Sequence, residues 1–99
     1  MTRPAESDLV AALRAAEVGS STAGGWPEHL PAEQQDAWMV MTEVEASLVG
    51  LARTRLAEGV VDHVEVGEVV SRLSEPVLQN RPAVEVGRWR RVAELLTAR

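Results

Sequence analysis

Between Pro31 and Gly59 lies the feature that most constrains this chain. Ala37, Met41, Val44, Leu48, Leu51 and Arg55 recur at alternating intervals of four and three, and Trp38, Ala52 and Leu56 widen the stripe. That period places one apolar ridge along an α-helix and is incompatible with a strand, whose side chains alternate every second residue. Pro31 suits the start of such a helix, Glu33 and Asp36 favour the positive end of its dipole, and Gly59 supplies a stop. About seven turns and roughly 40 Å of unbroken helix follow from the helical rise. In a chain of 99 residues that element becomes the spine on which everything else must pack.

Gly50 interrupts the helix interior, four residues after Ala46. Glycine there costs about 1 kcal/mol relative to alanine, so a close helix crossing is the expected reason for it. Val40 and Val49 lie off the main stripe. The spine is therefore expected to bury more than one face, with a partner molecule covering the surplus.

The flanking segments read as shorter helices. Ser7 to Val18 places Leu9, Val10, Leu13 and Ala16 on one face, with Ser7 and Asp8 available as caps and Gly19 as the stop. Residues 19–30 hold glycine, serine and proline, and are expected to form a flexible loop that tethers the first helix loosely. Residues 63–74 carry Val66, Val69, Val70 and Leu73 at helical spacing after Asp62, with Glu65 at the capping-box position. Val64-Glu65-Val66 also alternates, which keeps a short strand open over residues 60–66. Pro76 should end or kink this helix. A last helix over 81–97, capped by Asn80, places Val86, Trp89, Ala93 and Leu96 inward. Val64-Glu65-Val66-Gly67 recurs as Val84-Glu85-Val86-Gly87 twenty residues on, too little to define a repeat architecture. The expected fold is all-α, a single domain over residues 1–99 made of about four helices on the 31–58 spine.

Composition narrows the chemistry. The chain has no cysteine, which removes disulfides, thiolate nucleophiles, Fe–S clusters and cysteine-ligated zinc. The apolar content of 45% with three Trp and no Phe or Tyr suits an aliphatic helical core. No apolar run approaches the length of a membrane span or a signal peptide's core, so a cytoplasmic protein is expected. His29 and His63 each have acids nearby (Glu28, Asp62 and Glu65), but neither spacing matches a metal-ligand or catalytic motif. No phosphate loop, dinucleotide fingerprint or nucleophile elbow is present. The expectation is a chain without catalysis of its own, cofactor or metal.

Binding is the remaining class. Trp26, followed by Pro27 in the loop, is a candidate contact with another chain, since loop aromatics are common interface anchors. With Val40 and Val49 it forms the expected partner-binding set, the partner being another protein subunit or a second copy of this chain. A second possibility arises from charge. Residues 1–79 hold 13 acids against five arginines, whereas residues 80–99 hold five arginines against two acids. Arg88 and Arg91 share one face of the last helix and are the candidate phosphate contacts of a helix-turn-helix regulator. The overall charge of −5 disfavours nucleic acid.

Glu45, Leu51, Gly59, Glu65, Arg72-Leu73 and Arg88-Trp89 ahead of Leu95-Leu96 carry a family likeness. Over residues 44–96 the chain resembles the helical N-terminal domain of nitrile hydratase β subunits and their small accessory relatives. That resemblance implies a detached helical subunit or helper whose metal sits in a different, cysteine-bearing subunit. The family's Trp-Glu-x-Arg helix start is replaced here by Val44-Glu45-Ala46-Ser47, so Ser47 stands where the family's partner-directed arginine would be.

Overall fold

A computed structural model describes residues 4–20 and 29–97, with side chains from residue 7 onward. Its elements are four α-helices among the described residues, α1 (Pro4–Val18), α2 (Ala32–Glu58), α3 (His63–Leu73) and α4 (Ala83–Thr97), with a 3-10 turn at Pro76–Asn80 before α4. The all-α bundle is as the sequence requires, and residues 60–66 contain no strand.

The spine helix begins and ends on the residues its sequence marks. The Pro31 carbonyl accepts from the amides of Gln34 and Gln35, both at 2.9 Å. At the other end Gly59 adopts φ 80° and returns its N–H to the Arg55 carbonyl. That left-handed conformation is where glycine outperforms every other residue. The molecule measures 46 Å along its longest axis, close to the roughly 40 Å that 27 helical residues occupy.

The buried face of α2 consists of Ala37, Met41, Val44, Leu48 and Ala52. It packs on the 3-10 turn, α3 and α4, while α1 lies mainly along α4 and touches α2 lightly. Leu9 and Ala16 of α1 are fully buried in the common core with Val66, Leu73, Leu78, Trp89, Val92 and Leu96. Whatever the tether does, α1 itself is part of that core; residues 21–28 of the tether lie outside the described residues.

Local chemistry explains the short helices. Asp62 caps α3 by accepting from the Val64 amide at 2.8 Å. Pro76 opens the 3-10 turn rather than extending α3, as its missing N–H dictates. The helix α4 starts at Ala83, two residues later than its sequence suggests. Pro82 pushes Arg81 into extended backbone (φ −105°, ψ 152°), because the proline ring clashes with a helical preceding residue. Asn80 is therefore no cap; its side chain donates to the Glu33 carbonyl at 3.4 Å and ties the turn to the start of α2.

Gly50 departs from expectation. A Cβ placed there would meet nothing within 4 Å, so no helix crosses at this point. It faces outward, into a shallow groove shared with Ser47, Thr54, Glu65 and Glu68. The 3.6-residue period turns Ala46 and Gly50 away from the core once Met41, Val44 and Leu48 face inward.

Candidate docking groove

Two helices build the most distinctive surface. His63, Val66, Gly67 and Val70 of α3 line a cleft of about 340 Å³ together with Arg90, Ala93, Glu94 and Thr97 of α4. Both sets have the spacing i, i+3, i+4, i+7, so each is a single helix face. The start of α3 shares the cleft with the end of α4, which makes the pair antiparallel. Val66 and Ala93 form its floor, each 1% exposed. Gly67 leaves the α3 backbone bare in its middle: a Cβ there would meet nothing within 4 Å. Arg90 and Glu94 supply opposite charges one turn apart on the same helix.

Beyond Arg90 a second cleft of about 530 Å³ continues between the end of α3, the 3-10 turn and the start of α4. Arg90 lines both clefts and donates from Nη2 to the Leu73 carbonyl at 3.3 Å. Gly87 lines the second cleft and is as open as Gly67. The short internal echo in the sequence thus sets one bare glycine on each helix of the antiparallel pair. Val64 and Val84, the first residues of the two copies, are 70% and 65% exposed. Nothing in the apolar periodicity marks this face, because its defining residues are two missing side chains.

The residues singled out from the sequence fall elsewhere. Trp26 lies outside the described residues. Val40 and Val49 are half-buried and pack against the chain's own core. Val49 also borders a separate cleft with Glu17, Ser20, Thr42, Glu45 and Trp89. The Arg88 guanidinium lies over Gly19 at the end of α1, where a Cβ would collide with it. Arg91 pairs with Glu94 at 3.5 Å with both side chains 60% exposed. Trp89 is fully buried as expected, and Trp38 is half-buried.

Two buried charges were not apparent from the sequence. Glu45 sits inside the α2 stripe as an 8% exposed residue, and the Ser20 hydroxyl donates to its two carboxylate oxygens at 2.8 and 2.9 Å. Glu85 is 2% exposed and accepts from Arg81 Nη2 at 2.8 and 3.0 Å. The i,i+4 spacing of Arg81 and Glu85 was the available signal for their pairing, but not for its burial.

His63 borders the α3–α4 cleft and is exposed, as is His29. Among the described residues no three His, Cys, Asp or Glu side chains converge as a metal site would require, and no helix is long and apolar enough to cross a membrane. No family model, curated protein or solved structure matches this chain.

Proposed function

We infer that this chain is a non-catalytic helical interaction module, a small accessory subunit that works by docking another helical surface on its α3–α4 face. The observation that carries this reading is the cleft around Gly67. It has an apolar floor, a bare backbone in its middle and charges on its rim, the pattern of a helix-receiving groove. The likeness to nitrile hydratase β-type helical domains fits the same reading, with a cysteine-bearing metal subunit as a hetero-partner.

A second copy of this chain is the occupant that the charges favour. An isologous dimer requires a patch that carries its own complement. Arg90 and Glu94 meet that requirement: a two-fold axis across α4 midway between them sets each Arg90 against the other copy's Glu94. The same axis brings the two Gly67 backbones together in the middle of the face. The 11 residues of α3 span about 16 Å, and two helices side by side are about 20 Å wide. So small a face belongs with weak, concentration-dependent interfaces rather than obligate ones.

Light scattering across a concentration series tests this. The expected result is a monomer–dimer equilibrium that Gly67→Leu abolishes, although the open space at Gly67 leaves the monomer intact. Arg90→Glu and Glu94→Arg should each weaken the dimer, and the two together should restore it. A monomer at all concentrations rejects the second copy as occupant. A dimer indifferent to Gly67→Leu rejects the groove.

A further inference from the structure

The docking groove carries one side chain whose ordinary titration falls near neutral pH, and we propose that it makes association of this chain acid-sensitive. That residue is His63, and the inference rests on the docking reading, since it names what regulates the same face. The chain has two histidines. His29 lies before α2 and lines no part of the groove, whereas His63 is the first residue of α3 and lines it where the start of α3 meets the end of α4. Arg90 and Glu94 of α4 are the other charged groups among the described residues that line the groove; α1 and α2 contribute none. On its own element, Asp62 is engaged as the cap of α3, and Glu65 lies in the groove on the opposite side, against α2.

In the free chain His63 is exposed, so water solvates either protonation state. Docking a second copy changes its surroundings. The register that brings the two Gly67 backbones together sets His63 of one copy against Val70 and Ser71 of the other. Val70 is apolar, and the Ser71 hydroxyl donates to the Gly67 carbonyl at 3.0 Å, so neither supplies a negative charge. Glu94, the one acid lining the groove among the described residues, is the group that the other copy's Arg90 takes up. A protonated imidazole would therefore be covered by the second copy, without an acid of its own and with an arginine brought to the same end. The first turn of α3 adds the positive end of a helix dipole. Burial and like charge both favour the neutral form, so docking expels the proton from each His63.

Because docking releases protons, the dimer has its full affinity above the ordinary histidine pKa and weakens as pH falls through it. Two-fold symmetry places two such sites in each dimer. For histidines of ordinary pKa, roughly 6.5, complete expulsion of both protons raises Kd about a hundredfold between about pH 8 and about pH 5.5. Carboxylates of ordinary pKa keep their charge over that range, so the Arg90–Glu94 pairs are not what is lost.

Sedimentation velocity of the full chain across a concentration series, at those two pH values and matched ionic strength, tests this. His63→Gln keeps a neutral polar side chain at every pH, and His29→Gln is the control. Wild type and His29→Gln should dimerise at the higher pH and lose about a hundredfold in affinity at the lower. His63→Gln should dimerise at both with little change. Wild-type dimers equally strong at both pH values, or a His63→Gln variant that keeps the wild-type acid sensitivity, would overturn the assignment to His63 while leaving the docking groove in place. Monomers at both pH values would overturn the docking reading, and this inference with it.

Discussion

Replacing the helix-interior glycines by alanine should make this protein more stable at three positions, which is unusual for arbitrary substitutions. Gly50, Gly67 and Gly87 lie inside α2, α3 and α4, and a Cβ at any of them meets nothing within 4 Å. No contact is lost and none is forced. What remains is backbone entropy: glycine in a helix interior is about 1 kcal/mol less favourable than alanine. Each substitution should therefore stabilise by up to about 1 kcal/mol, a rise in Tm of roughly 4–8 °C for a chain of this size. Gly59→Ala is the internal control. Its φ of 80° costs an L-residue roughly 1–2 kcal/mol, more than the entropy recovered, so the sign reverses. Thermal and urea unfolding followed by far-UV circular dichroism at low protein concentration measure all four. A Gly50→Ala variant less stable than wild type would refute the reasoning, since it would mean that another backbone approaches α2 there.

Other consequences follow from the buried polar groups and the core. Arg81→Met leaves the Glu85 carboxylate buried without its partner and should cost about 3–5 kcal/mol, whereas Arg81→Met with Glu85→Leu should regain most of that loss; a double variant worse than the single one contradicts this, by urea unfolding. Ser20→Ala removes the hydroxyl from Glu45 and should cost about 1.5 kcal/mol, while Arg72→Ala, at a partly exposed pair with Glu43, should cost under about 1 kcal/mol. Trp89→Ala should cost about 3–5 kcal/mol. Trp89→Phe should be far milder, because it also removes an indole N–H buried without a partner, and calorimetry would separate the two.

The fold was legible because its information is local and repeated. The stripe from Ala37 to Ala52 set the spine, and Gly59 and Asp62 set a stop and a start through backbone chemistry that needs no tertiary context. The boundary at Ala83 was missed because Pro82 restricts the residue before it, which a search for a capping side chain at Asn80 does not weigh. The proposed docking face was not legible for a different reason. Periodicity reports which side chains are buried, but Gly67 and Gly87 matter through side chains they lack, and Arg90 and Glu94 look like any solvated i,i+4 pair. Val40 and Val49, off-stripe apolar residues read as facing an outside partner, are half-buried and pack against the chain's own core. Glu45 illustrates the limit most clearly, since its buried carboxylate accepts from Ser20, 25 residues away in sequence.

A cysteine-free chain permits a direct test of the central claim, that the α3–α4 face docks a second copy through the Gly67 groove. Gly67→Cys supplies a single thiol in the middle of that face, and Arg53→Cys, an exposed position on α2, serves as the control. Exposed to mild oxidant at concentrations that bracket the association, Gly67→Cys is predicted to form covalent dimers faster than the control, with the rate rising as association rises. Covalent dimers forming equally at both positions, or at neither, would contradict the account.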